Sequence, residues 1–194
     1  MELSPASGIT QPELTGLTSE ERDGISREAA LSLHDELVER AGKWLRKNMR
    51  CGAVLLEPGY GGCGERPDAL GFRGKNSYLI ECKATRSDFL SDRRKESRAS
   101  DRGMGSFRWY LAPRGVADPE EVPEKWGLIQ LRGQRLYHLG RPAREDLRTP
   151  QGLMEENQLL SAALGLVQHE SNGYTVADSK HLRHNLGPGA ENAV

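Results

Sequence analysis

Apolar residues recur at helical spacing between positions 26 and 48. Leu33, Leu37, Val38, Ala41, Trp44 and Leu45 fall on one stripe, the pattern of a helix with one buried face. His34 lies among them, and Glu36 and Glu39 lie on the flanks. Thr18-Ser19-Glu20-Glu21 has the composition of a helix start, weakened by Gly24. The period then shortens. Residues 51–57 form an apolar run stopped by Pro58-Gly59 and read as a buried strand. Two further runs, 67–72 and 77–83, flank a turn containing Gly74 and Asn76 and predict a β-hairpin. Residues 87–94 read as a helix capped by Ser87, and 107–112 as a strand ended by Pro113. A short acidic helical turn is expected within 118–125. A second hairpin (127–131 and 135–139), a linker and a helix over 151–168 complete the pattern. The order is that of a single α/β domain, a central mixed sheet with helices on its faces.

The polar residues of the first hairpin sit where apolar ones are expected. Asp68 opens one strand, and Glu81 and Lys83 end the next. Side chains alternate along a strand, so Glu81 and Lys83 share one face and Ile80 and Cys82 the other. Folding back at Gly74 brings Asp68 towards both. Two carboxylates and an ammonium converging at a sheet end cost stability unless a cation or substrate uses them. The bland alternative makes Asp68 a turn residue and Glu81–Lys83 an exposed ion pair on a sheet edge. The glycine-rich loop 60–66 matches no phosphate-binding fingerprint and reads as a lip over the site.

Composition narrows the setting. The 194 residues are 36% hydrophobic and 28% charged, enough for one ordinary domain with tails. No apolar run approaches the ~18 residues that would cross a bilayer, so no membrane partner is expected. Cys51, Cys63 and Cys82 suggest neither a disulfide framework nor a zinc site, which points to a reducing, cytoplasmic setting. Net charge is −1, yet the segment from Lys83 to Arg108 holds eight basic and four acidic residues, a local +4. Residues 1–25 are expected to be disordered or weakly ordered, 26–140 to form the domain, 141–170 a linker and C-terminal helix, and 171–194 a flexible tail.

Pro67-Asp68 followed by Glu81-Cys82-Lys83 on the adjacent strand resembles the PD-(D/E)XK nuclease superfamily. More narrowly, Ile80-Glu81-Cys82-Lys83 with Ser87-Asp88-Phe89-Leu90-Ser91-Asp92-Arg93 is similar to MmcB-like DNA-repair proteins and to uncharacterised phage-type proteins. The likeness spans about residues 30 to 140. It implies a restriction-endonuclease-like αβββαβ core and metal-dependent hydrolysis of DNA phosphodiesters. Asp68, Glu81 and the backbone carbonyl of Cys82 would hold Mg²⁺ or Mn²⁺, and Lys83 would orient or deprotonate the attacking water. His34 and Glu36 would lie near the metal. Arg86, Arg93, Arg94, Lys95 and Arg98 would grip DNA phosphates, although a solvated helix face explains them equally well. A nuclease-fold DNA-binding protein without turnover, and a phage-type protein-interaction module, are the other functions compatible with this reading. A homodimer would cover the apolar stripe of the last helix, as would packing on its own domain.

Overall fold

The computed structural model describes residues 19–58, 66–95 and 103–170, with backbone alone for 19–25 and 166–170. A long helix, α1 (Ser19–Lys47), leads into β1 (Ala53–Leu56), β2 (Ala69–Arg73) and β3 (Asn76–Cys82). A short helix, α2 (Arg86–Asp92), follows, then β4 (Phe107–Pro113), a 3₁₀ turn (Pro119–Glu121), β5 (Gly127–Arg132), β6 (Arg135–Gly140) and α3 (Pro150–Glu170). The strands form one six-stranded sheet in sequential order. β1, β2 and β3 pair antiparallel, β3–β4 and β4–β5 parallel, and β5–β6 antiparallel. This is the mixed, helix-flanked α/β sheet that the sequence pattern predicts.

Both hairpins close through two residues whose first is a glycine, Gly74 with φ 56° and Gly133 with φ 55°. A side chain resists that left-handed conformation, and glycine does not. Each face of the central strands is covered, whereas the edge strand β1 is exposed to half-buried rather than buried as its apolar run suggests. Leu37, Val38, Ala41, Trp44 and Leu45 of α1 pack on Ile80, Cys82, Trp109, Leu111 and Ile129. Leu70, Leu79, Phe89, Met104, Tyr110 and Leu159 form a core on the opposite face. Two-sided cover is why β3 is buried from Ser77 to Cys82 and reads as a continuous apolar run. It also buries both Trp109 and Tyr110, which the sequence alone suggests would alternate between core and surface.

Several boundaries differ from the sequence reading. α1 starts at Ser19 and runs through Gly24, so the backbone of residues 19–25 is helical. One glycine costs a helix about 1 kcal/mol, too little to stop a helix of 29 residues. α2 is capped by Thr85, whose hydroxyl accepts from the Asp88 N–H at 3.2 Å; Ser87 lies inside the first turn. The stretch before α3 packs as part of the domain. Leu147 is buried, its N–H donates to the Ser106 carbonyl, and its own carbonyl accepts from the buried Arg108. α3 then docks on the sheet through Glu156, which accepts from the Ser77 hydroxyl at 2.6 Å and the Gly105 N–H at 2.8 Å. This packing covers one side of the α3 stripe within the same chain, while Leu153, Met154 and Leu164 remain exposed. Among the described residues no helix is long and apolar enough to cross a membrane. Residues 1–18 of the expected N-terminal segment (1–25) and the expected tail 171–194 lie outside the described residues.

Candidate functional site

Strand register assembles a polar row at one end of the sheet. The Glu57 N–H donates to the Asp68 carbonyl at 2.9 Å, continuing the β1–β2 ladder. Ala69 stands opposite Ile80, so Asp68 falls opposite Glu81, and Glu81 in turn pairs with Tyr110. Glu57, Asp68, Glu81 and Tyr110 thus follow one line across β1 to β4. Asp68 is two residues from Leu70 and Glu81 two from Leu79. Both apolar neighbours belong to the core beneath α2 and α3, so alternation aims both acids to that side.

Asp68, Glu81 and Lys83, the residues singled out by the sequence, come together. The Lys83 ammonium lies 3.3 Å from Glu81 Oε2, 3.9 Å from Asp68 Oδ2 and 3.4 Å from Asp92 Oδ1. Glu81, Lys83 and Asp92 are only 2%, 5% and 1% exposed, which corrects the alternative of a solvent-exposed ion pair on a sheet edge. Asp68, half-buried at the rim, also accepts the Cys82 N–H on Oδ2 at 2.6 Å. Burial pushes the Asp68 carboxyl above its ordinary pKa, against the pull of Lys83, the Cys82 N–H and His34. For Lys83 burial acts downward, but Glu81, Asp68, Asp92 and Asp88 together outweigh it and the pKa is raised. The ammonium therefore stays charged at neutral pH.

A second group opens on the α1 side of Asp68. His34 Nε2 is 3.3 Å from Glu57 Oε1 and 3.8 Å from Asp68 Oδ1. One ligand-capable atom from each of His34, Glu57 and Asp68 lies within 4.8 Å of the other two. Glu57 adopts φ 42°, a left-handed backbone uncommon for a residue with a side chain. Glu36 does not join this group. Two residues along a helix from His34 it faces elsewhere, and its carboxylate is 2.7 Å from Arg40. Glu39 likewise pairs with Lys43. Cys82 offers its backbone at the strand end while its thiol is fully buried among the core residues under α1. Burial raises that thiol well above its usual pKa.

The basic stretch is not one open patch. Lys83 and Arg108 are buried. Arg86 makes a double hydrogen bond to the Glu121 carboxylate at 2.5 Å and reaches the Val116 carbonyl at 3.1 Å. Arg93 donates to the Glu121 carbonyl at 3.3 Å, and Lys95 lies 2.7 Å from Asp92. Arg94 is exposed; Arg98, Cys63 and most of the loop 60–66 lie outside the described residues. The loop after β4 folds its acid onto α2, so Arg86 and Arg93 are already engaged within the chain.

Glu57, Asp92 and Tyr110 are the residues that sequence reasoning missed at this site. Asp92 had a readable signal. It sits three residues after Phe89 on the same buried side of α2, a charge where that face should be apolar. Glu57 depends on β1 pairing with β2 across a loop, which residue spacing does not reveal.

Chemically, Asp68, Glu81 and Asp92 surround one buried ammonium among the described residues, and Lys95 adds a second cation at Asp92. Oxygen-rich, negative and open at Asp68, this donor set fits a hard divalent cation. A cavity of about 320 Å³ lined by Arg40, Lys43, Trp44 and His138 lies between α1 and the β5–β6 hairpin, and shares no residue with the acidic cluster.

No family model matches the chain, and no curated protein matches it either. Among solved structures, the SPO1766 protein of unknown function from Silicibacter pomeroyi is similar to it, with a TM-score of 0.53 and 18% identity. The likeness covers 75% of this chain and 97% of that one. At that identity it establishes a shared α/β fold.

Proposed function

We propose that the chain is a divalent-metal-dependent nuclease that hydrolyses DNA phosphodiester bonds on a restriction-endonuclease-like core. One observation carries the reading: Asp68 and Glu81, from neighbouring strands, reach the same Lys83 ammonium at the end of the sheet. Asp68 and Glu81, with the Cys82 carbonyl, are the groups that would hold Mg²⁺ or Mn²⁺. Bound there, such a cation would neutralise phosphate charge and acidify a water. The chain's own contribution is positional. The Cys82 N–H fixes the Asp68 carboxylate, and burial of Glu81 limits its freedom. Lys83, kept protonated by its acids, is poised to donate a hydrogen bond to a phosphoryl oxygen or to the attacking water. It supplies positive charge as phosphate charge grows and does not serve as the base.

The test is cleavage of supercoiled, branched and single-stranded DNA with Mg²⁺ or Mn²⁺, beside EDTA and an Asp68→Asn control. Metal-dependent cutting that Asp68→Asn abolishes supports the reading; cutting that survives the substitution is contamination and removes it. A DNA-binding role without turnover is favoured by one feature, the near-complete burial of Lys83 against Glu81 and Asp92. It predicts salt-sensitive DNA binding with no cutting under any of these conditions.

A further inference from the structure

We infer that Asp92 is a positioning residue that holds the Lys83 ammonium between Asp68 and Glu81, an inference that takes its catalytic meaning from the nuclease reading. Asp92 is the last residue of α2 and is 1% exposed. A carboxylate in that place is costly. It has left water, and the carbonyl end of a helix gives it no help. Among the described residues, three partners offset the cost. Oδ1 faces Lys83 at 3.4 Å and Lys95 at 2.7 Å, and Oδ2 accepts from the Tyr110 hydroxyl at 2.8 Å.

Tyr110 gives the arrangement its rigidity. It is fully buried on β4, directly beside Glu81 in the parallel register. Its ring meets Phe89 edge-on at 5.2 Å and stacks on Trp126 at 4.8 Å, so its hydroxyl presents a fixed donor to Asp92. The chain of contacts therefore runs from a rigid strand, through a helix-end carboxylate, to the ammonium. Glu81 alone could not define the position of Lys83, since Lys83 lies only two residues on, just past the end of the same strand. Asp92 pulls from a different element, and two anchors in different directions confine a flexible lysine stem.

The test uses the full chain labelled at lysine Nζ, with proton–nitrogen correlation spectra of the ammonium groups and DNA cleavage measured in parallel. In the parent protein Lys83 shows a protected ammonium signal, assigned by its disappearance in Lys83→Met. Asp92→Asn keeps the shape and an acceptor for Tyr110 but removes the charge. The expected result is loss of the Lys83 signal to solvent exchange and a fall in kcat of about 100-fold, the effect of misplacing a reacting group by about 1 Å, with KM unchanged. A Lys83 signal that persists in Asp92→Asn overturns the inference. If Asp92→Asn does not fold, Tyr110→Phe releases Asp92 on one side only, and the Lys83 signal should broaden with a smaller fall in kcat; an unchanged signal there also overturns it. Absence of cleavage by the parent protein sinks the nuclease reading, while the ammonium signal still decides whether Asp92 holds Lys83.

Discussion

Replacing Lys83 with methionine keeps an unbranched stem of similar length and removes only the ammonium. Glu81 then loses one of its partners, 3.3 Å away, in a site where it is 2% exposed. Asp92 retains Lys95 and Tyr110, so its loss is partial. Removing one member of a buried ion pair costs ~3–5 kcal/mol because the other charge stays out of water. The retained partners of Asp92 place Lys83→Met near ~3 kcal/mol, at the low end of that range. Against a usual stability of ~5–15 kcal/mol this is a large share. With a urea m-value of ~2 kcal/mol/M it moves the midpoint by about 1.5 M. Urea unfolding at pH 7, followed by fluorescence of the buried Trp109 and Trp126, reads it directly. The gap must also depend on pH. Without Lys83, Asp68 loses the strongest pull that opposes burial, so its folded pKa, already above the ordinary value, rises further. Protons then favour the folded variant as pH falls, while Lys83 in the parent remains charged. The difference should narrow as pH falls through the raised pKa of Asp68. Lys95→Met is the contrast, since that side chain is 59% exposed and its loss should cost under ~1 kcal/mol. A Lys83→Met cost below ~1 kcal/mol at pH 7, constant with pH, would refute a buried ammonium held by these acids.

Three other outcomes follow from the geometry. Asp68→Asn should raise the stability of the metal-free protein at pH 7 while abolishing cleavage, because burial disfavours the ionised carboxyl and an amide oxygen can still accept the Cys82 N–H; a lower melting temperature would contradict it. Glu121, held to a pKa of about 2 chiefly by its bond to Arg86 against a usual 4.5, contributes stability that is full above pH 4.5 and lost as pH falls towards 2. In acid titrations the parent and Glu121→Gln should therefore converge across that window, and parallel profiles would rule out the tether. Gly152→Ala should destabilise by ~1–3 kcal/mol, since the added methyl would run into the Gly103 carbonyl, a backbone atom with little freedom to yield; chemical denaturation with no shift in midpoint would show that α3 docks differently.

Element types were legible because burial imposes a period. The α1 stripe from Leu33 to Leu45, the hairpin around Gly74 and the second around Gly133 each follow from local spacing and turn chemistry. What misled was local as well. Gly24 suggested a helix boundary that 29 residues of α1 override, and Ser87 resembled a cap that Thr85 supplies. The count of basic residues after Lys83 suggested a phosphate-gripping face. Counting could not know that Arg108 is buried or that Glu121 folds back on Arg86 and Arg93.

Alone, the sequence determined which strand ends carry charge and that Asp68 meets Glu81 and Lys83, because a two-residue hairpin converts spacing into registry. Only the tertiary structure decided the rest of the neighbourhood: Glu57 beside Asp68, His34 against both, Asp92 and Tyr110 closing over Lys83. Those partners come from separate elements whose meeting depends on how α1 and α2 pack on opposite faces of the sheet. Packing is set by the sum of many apolar contacts, and no single residue's position in the chain encodes it.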